Sequence, residues 1–560
     1  LFKEHDDIRK KYAERFKYVL VDEYQDTNFV QQCIVLQLTQ EHRRVCVVGD
    51  DAQSIYGFRG ANIDNILDFQ KIYPETRLFK LEQNYRSTQH IVQAANSLIQ
   101  HNKRQIPKDV FSCNDKGERL ILRPVYSDKE EAAVVCRYIK RLKQKEDFNY
   151  DSYAILYRTN SQSRSFEEEM RRQSIPYRIF GGMGFYQRKE IKDILAYFRM
   201  VANPEDEEAI RRIINYPTRG IGDTTVAKIA ACAQANDVSF WQIVNSPVKY
   251  GLNVTNSTVN KLRSFAELIS SFIEKSASTD AYQLGTAIIQ ESKINADIFS
   301  SNDPEALSRQ ENVEEFLSGL QDFVEGRREE GQEEYTGLTD FLQEVSLLTD
   351  VESDDDKDGN KVSLMTIHSA KGLEFPVVFI VGMEENIFPS PMSANNPREL
   401  EEERRLLYVA ITRAEKYCIL TCAKNRWRFG KLEFGAPSRF LHDIDPSCLR
   451  IENDNLTDDI LFKNSIPKSA KPTTGIHSSP LRPARVGPIV PKSISKEPSK
   501  TPVSTPDGLH VGCIIEHQRF GMGTVINLEG EGENQKATVT FKNTGQKVLL
   551  LKFARYTIIE

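Results

Sequence analysis

Five short apolar runs, each closing in a polar turn, constrain this chain more than any other feature. They are "YVLVDE" from Tyr18, "RVCVVGDDAQSIYG" from Arg44, "SYAILYRTNSQSR" from Ser152, "VSLMTIHSAKG" from Val362 and "PVVFIVGM" from Pro376. Continuous apolar strands with helices between them predict parallel sheet covered on both faces. Ligands of such sheets gather beyond the carboxyl ends of the strands, where Asp22, Glu23, Gly49 and Asp50 fall. The fold class expected is α/β.

Between Gln187 and Asn360 the pattern changes to helix spacing. "FAELISSFIEK" puts Phe265, Leu268, Ile269, Phe272 and Ile273 on one face, and "VEEFLSGLQDFV" does so with Val313, Phe316, Leu317, Leu320, Phe323 and Val324. A helical domain therefore interrupts the α/β pattern, which resumes at Lys361 after the acidic loop "ESDDDKDGN", read as a solvated charge run. From Leu456 to Gly508 the chain is rich in Pro, Ser and Lys, the composition of a disordered tether. The last segment, from Val511, alternates short strands with Gly and Asn turns, as a small β-barrel of the SH3 or Tudor sort does.

A length of 560 residues calls for several domains. Hydrophobic residues at 39% and charged residues at 28% fit a globular protein. No window reaches the roughly 18 apolar residues of a membrane span, and nothing at this N-terminus reads as a secretory signal. Nine scattered cysteines without a C-x-x-C pair point to a reducing cytoplasm and away from zinc. Cys418 and Cys422 read as small core residues on one face of a strand. With a net charge of −6, nucleic-acid binding would have to come from local grooves. The chain opens on Leu1 within helical sequence, which reads as a fragment.

The chemistry concentrates at the strand ends. In "LVDEYQDTN" one carboxylate of an Asp-Glu pair can hold Mg²⁺ while its neighbour orients a water. In "VVGDDAQSIYGFRGA" Gln53 is long enough to reach a γ-phosphate, and Phe58 offers a flat face to a base. In "LEQNYRSTQHIVQAANSLI" Tyr85 and Arg86 precede Ser87, read as the N-cap of a helix burying Ile91, Ala95, Leu98 and Ile99. "EEERRLLYVAITRAEK" presents Arg413 near a helix end; its Arg404 and Arg405 read as helix-face ion pairs of small energetic weight.

Together these runs resemble the UvrD/PcrA/Rep family of superfamily 1 DNA helicases. "VDEYQDTN" resembles the family's motif II, "VVGDDAQSIYGFRGA" motif III, and "LEQNYRS" motif IV. "VSLMTIHSAKGLEFPVVFIVGM" resembles motif V and "EEERRLLYVAITRA" motif VI, all in the family's order. The resemblance runs from Leu1 to about Asp443 and resumes in the barrel. It implies two RecA-like parallel-sheet motor domains, the first incomplete (1–82) and the second built from 83–186 and 361–445. It further implies an inserted helical accessory domain (187–360), a linker (446–508) and a Tudor-like β-barrel (509–560).

The resemblance also implies roles. Asp22 would hold Mg²⁺, Glu23 would orient the hydrolytic water, and Gln53 would sense the γ-phosphate. Arg86 and Arg413 would act as arginine fingers from the second motor domain. Tyr85 would stack on adenine, Glu374 would bond the ribose, and Gly372 would line the nucleotide site. Tyr56, Phe58 and Arg59 would form the single-strand track; the family usually has Trp where Phe58 stands, which weakens the stacking surface. Arg158, Asn160, Thr366, His368 and Lys371 would touch DNA phosphates or the nucleotide. The plain alternative for Arg59 is an ion pair with a carboxylate; His368 taken alone reads as a packed core residue, and inside "TIHSAKGLEF" as a functional one. In "PTRGIGDTT", Gly220 and Gly222 would bring backbone amides to a DNA phosphate, with a tight helix–helix turn as the plain alternative.

The expected activity is ATP-dependent 3′–5′ DNA unwinding in repair or replication, with ATP and Mg²⁺. The expected partners are single-stranded DNA and its junctions, and RNA polymerase or repair proteins at the barrel. One element is missing: no G-x-x-x-x-G-K-[ST] phosphate loop occurs anywhere in the chain, and "SAKG" at Ser369 lacks the spacing. The expectation is N-terminal truncation and a fragment of little ATPase activity. The alternative from another class is a catalytically dead protein that keeps the DNA track and a partner-binding barrel. A RecB- or AddA-like helicase–nuclease fits less well, since the chain ends in a barrel without a nuclease-like acid cluster.

Overall fold

The computed structural model describes residues 1–301, 303–349, 359–428, 431–452, 508–530 and 532–559. Residues 352–358 of the acidic loop and 453–507 of the linker lie outside that set.

The larger sheet follows from the apolar runs. Seven parallel strands lie in the order Leu449–Ile451, Leu120–Ser127, Ala414–Arg428, Phe375–Ile380, Tyr153–Tyr157, Val362–Thr366 and Tyr177–Ile179, and Lys431–Phe434 adds an antiparallel arm to Ala414–Arg428. Tyr153–Tyr157 is buried at every position, with Ile155 opposite Leu364 on one side and Phe379 on the other. A strand hidden on both faces needs no polar alternation, which is why these runs read as continuous apolar segments. Helices Asp128–Glu146 and Ser163–Arg172 supply Val135, Ile139, Phe166 and Met170 to the same core. The first of them has a strong start: Ser127 caps the Glu130 amide, three acids occupy its first turn, and Lys143 and Lys145 stand in its last. Cys418 and Cys422 are both buried in the sheet.

Between Phe185 and Leu338 the chain makes helices around their own core of Phe198, Phe265, Phe272, Leu284, Phe316 and Phe341. The apolar faces expected of Phe265–Ile273 and Val313–Val324 pack into it, with Leu268, Ile273 and Leu317 partly buried at its margin.

The first lobe has two parallel strands, Val19–Val21 and Val45–Val47, with Val19 opposite Val45 and Val21 opposite Val47. Its small core is Tyr24, Ile66, Phe69 and Tyr73. The barrel is a five-stranded antiparallel sheet in the order Gly545–Leu550, Lys536–Phe541, Gly521–Glu529, Ile514–His517 and Tyr556–Ile558. Gly523 makes it possible: a Cβ there would stand 2.5 Å from the Phe541 ring.

Two expectations need correction. Residues 446–452 do not belong to a disordered linker, because Leu449–Ile451 pairs with Leu120–Leu122 and extends the sheet. Ser87 does not cap the helix Gln89–Ile99; Thr88 occupies that position, while the buried Ser87 hydroxyl donates to the Ala414 carbonyl at 2.6 Å. No described helix is long and apolar enough to cross a membrane.

Candidate active site at the seam between two lobes

The two strands of the first lobe end side by side, and the chain after each turns sharply. Asp22 and Glu23 follow the first strand, and Glu23 adopts a left-handed conformation (φ 48°) that few side chains occupy without cause. The Asp22 carboxylate accepts the Glu23 amide at 2.8 Å and is otherwise exposed. After the second strand, Gly49 is enforced by space: a Cβ would lie 2.4 Å from Gln25 Oε1 and 3.2 Å from the Tyr24 nitrogen. Asp50 then caps the Ala52 amide at 3.0 Å and accepts the Gln53 side-chain amide at 2.8 Å.

Gln25 joins the two turns. It is fully buried; its Oε1 accepts the Asp50 amide at 3.0 Å and its Nε2 donates to Glu23 Oε2 at 2.6 Å. One side-chain amide therefore fixes the acid corner relative to the segment bearing Gln53.

Three contacts cross from the second lobe to this corner. Lys371 donates to Asp26, to the Gln53 carbonyl at 3.0 Å, and faces Glu23 Oε2 at 3.4 Å. Burial raises the Asp26 carboxyl above its usual range, and the Lys371 ammonium pulls against that rise. Lys108 binds Asp50 and, at 3.0 Å, the buried Asp51. Burial disfavours the Lys108 ammonium, but the two aspartates outweigh it and hold its pKa above the usual lysine range. Further out, Glu402 accepts the Gly57 amide at 2.8 Å.

Arg86 and Arg413 meet at Thr412. Arg86 donates to the Thr412 carbonyl at 3.0 Å and to Glu374 Oε2 at 2.6 Å. Arg413 is buried and donates to the Thr412 hydroxyl at 3.1 Å and to the Val409 and Leu373 carbonyls, each at 3.1 Å. Burial, and next the charge of Arg86, push Arg413 down to about 10. Two like charges held this close, one of them desolvated, form a site that a multivalent anion would relieve. Tyr85 beside them is 78% exposed, a free ring face at the lobe edge, and Gly372 turns with φ 87° and open space around its Cα.

A second cluster lines the seam. Phe58, 53% exposed, sits edge-on to His368 with ring centroids 5.1 Å apart, and the Arg59 guanidinium lies 5.4 Å from the Phe58 centroid. Tyr56 donates to the His368 carbonyl at 3.3 Å, and Lys371 lies over the Tyr56 ring at 5.2 Å. Burial, followed by Arg158 and Arg59, pushes His368 down to about 3, so its imidazole is neutral at pH 7. Exposed aromatics beside cations are the surface that stacks bases and follows a phosphate backbone.

Known proteins match along the whole of this arrangement. A family model described as the UvrD/REP helicase N-terminal domain matches residues 1–74, the UvrD-like helicase C-terminal domain matches 79–425, and the PcrA/UvrD tudor domain matches 511–556. The ATP-dependent DNA helicase PcrA of Leuconostoc citreum is 37% identical over 554 residues, which span 99% of this chain and 72% of that protein. The proteins of the same name from Staphylococcus aureus strain Mu50 and from Staphylococcus epidermidis are each 38% identical, again over 72% of their length. The chain belongs to the UvrD/PcrA helicase family.

Within this helicase frame the side chains expected at DNA or nucleotide have protein partners as well. Arg158 does not face an open groove: it forks onto Glu403, with Nε at 3.0 Å and Nη2 at 2.6 Å from Oε1. Thr366 spends its hydroxyl on Ser369, capping that amide at 3.3 Å. Lys371 and Glu374 are engaged with protein partners, Asp26 and Arg86. Asn160 is exposed, with its carbonyl bound by Arg188 at 2.9 Å. Arg405 makes the expected helix-face pair with Glu401, four positions before it, and is 4% exposed there, whereas Arg404 bonds Asp443 and Asn102 outside its helix.

In the insert, Gly220 turns with φ 71° and its carbonyl accepts Lys261 at 3.1 Å, while Gly222 precedes the helix Asp223–Asn236 with open space around its Cα. Asn215 builds that turn by accepting the Arg219 and Ile221 amides at 3.0 Å each.

Residues that sequence reasoning missed are Gln25, Asp26, Lys108, Glu402 and Glu403. Gln25 and Asp26 lie inside the quoted "VDEYQDTN", and a buried amide beside two strand-end acids was a readable signal. Lys108 and the two glutamates have partners more than 50 positions away, which spacing does not reveal.

Proposed function

We propose that the chain serves an ATP-dependent DNA helicase that moves 3′ to 5′ along a single strand, in repair or replication. The observation that carries this reading is the seam, where an acid corner from one lobe meets Lys371 from the other, while Arg86 and Arg413 converge on Thr412 and Arg413 feels the charge of Asp50 across it.

Asp22 is the residue to hold Mg²⁺, which when bound supplies charge neutralisation for the phosphates. Its exposed carboxylate at the strand terminus fits that task. Glu23 orients the attacking water, and Gln53 reads the γ-phosphate. The Arg86–Glu374 pair suggests one exchange: as the ribose takes Glu374, Arg86 is released toward phosphate, with Arg413 beside it. Tyr85 offers its exposed ring to adenine. Tyr56, Phe58, Arg59 and His368 form the strand track, and Gly220 and Gly222 are a second, peripheral phosphate contact. The barrel is the module for a protein partner such as RNA polymerase or a repair protein.

The test uses the 560-residue chain. Labelled oligothymidine should bind it with a steep salt dependence, and Phe58→Ala should weaken binding roughly 5- to 100-fold, the loss of one stacked base. An unchanged affinity would remove the track from this reading. Because these residues include no phosphate loop, ATP turnover by the chain alone should be small even with DNA present. Turnover at the rate of an intact helicase would refute that part.

A further inference from the structure

Arg519 leaves the barrel. It stands on the turn between strands Ile514–His517 and Gly521–Glu529, yet it is 7% exposed because its guanidinium enters the helical insert. Nη1 donates to Glu329 Oε2 at 2.9 Å and Nη2 to the Asp322 carbonyl at 3.0 Å, both on the helix Pro304–Glu329. Gly326 leaves the room: a Cβ there would stand 3.1 Å from Nη2. The backbone of the same residue turns the other way, its carbonyl accepting the Ser127 hydroxyl of the second lobe at 2.8 Å. His517 steadies this turn. It is fully buried, stacks on Phe520 at 4.9 Å, accepts the Arg519 amide on Nδ1 at 3.2 Å and points Nε2 at Glu329 Oε1, 3.6 Å away.

The neighbouring contacts repeat the pattern. Asn543 of the barrel bonds Glu130 and Arg137 of the second lobe, and Gly521 lies 3.4 Å (at its would-be Cβ) from Glu130 and Tyr126. The insert and the lobe also touch directly, through Arg164 with Glu315 at 2.7 Å and Lys129 with Asp322 at 3.3 Å. Lys129, Arg164, Asp322 and Arg519 of these contacts help to line a cavity of about 300 Å³. Interfaces of such polar character are the ones across which domains move. Asp322 is shared among all three bodies, its side chain with the lobe and its carbonyl with the barrel.

We propose that the barrel is an intramolecular clamp: docked, Arg519 locks the helical insert to the second lobe, and a barrel drawn away releases the insert to swing. A partner that claimed the Arg519 face would free the insert in the same step. The proposal goes beyond the helicase reading and uses neither nucleotide nor DNA.

Hydrogen exchange of the full chain tests it. Arg519→Ala should speed exchange about fivefold or more in residues 319–329 and 126–131, while strand Lys536–Phe541 keeps its protection. The reversed pair Arg519→Glu with Glu329→Arg should restore protection to within about twofold of the parent chain. Should Arg519→Ala unfold the barrel, a chain ending at 507 decides: faster exchange in 319–329 supports the clamp. Parent-level protection of 319–329 in that shortened chain overturns it.

Discussion

In the second lobe the strand Tyr153–Tyr157 is buried along its whole length between parallel neighbours, whereas in the first lobe Leu20, at the middle of Val19–Val21, is 75% exposed. Both sheets end in motif residues, but they hold them differently. The seven parallel strands of the larger sheet carry their own core. In the first lobe the acid corner rests on Tyr24, Phe69 and Tyr73 beneath it and on the ionic contacts that cross the seam. The lobe bearing Asp22 and Glu23 is thus tied to its neighbour by ionic contacts as well as by its own packing.

The largest effect should come from breaking the self-sufficient side. Phe379→Ala, at a fully buried site between sheet and helices, should cost about 3–5 kcal/mol in a denaturant titration, while Leu20→Ala should stay within about 0.5 kcal/mol. Similar costs for the two would erase the contrast. Next comes the seam. Lys108→Ala strands Asp51, which is 3% exposed, and should cost about 3 kcal/mol, confined to the first lobe. Limited proteolysis should then cut within residues 1–74 and spare the second lobe; an unchanged digest would show that the lobe stands alone.

The smallest effect is acid sensitivity. His368 and His517 are both held near a pKa of about 3 by burial, reinforced by Arg158 and Arg59 in the first case and by Arg519 in the second. The unfolded histidines take up protons below about 6.5, long before the folded ones do, so stability is full above that pH and falls as pH drops toward 3. At pH 5 the loss should be about 2 kcal/mol per histidine, measured as a fall in denaturation midpoint. His517→Gln should flatten the pH dependence for the barrel docking and leave that of the seam in place.

The α/β class, the helical insert and the terminal barrel were legible because each rests on local periodicity: continuous apolar runs, faces such as Phe265–Phe272, and alternating strands with glycine turns. The positions of Asp22, Glu23, Gln53 and Arg413 at element ends were legible for the same reason. What a side chain does with its charge was not. Arg158 meets Glu403, 245 positions away, and Arg519 meets Glu329 across 190, so their partners depend on how elements pack rather than on spacing. The helix-face pair expected of Arg405 forms with Glu401, but its burial was not legible, because a charged run on a helix says nothing about which elements will cover it; here Asn102 and Asp443 take Arg404.

The links across the seam are mostly ionic and so respond to salt and acidity; inside the first lobe, Gln25 carries no charge of its own. Its amide neither gains nor loses a proton across the range in which proteins work, and with both ends engaged it cannot turn over without breaking two bonds. The acid corner and the Gln53 segment are therefore yoked by a side chain that stays uncharged, with a backbone amide at one end and the Glu23 carboxylate at the other. A shift of one strand end is carried to the other through that single amide.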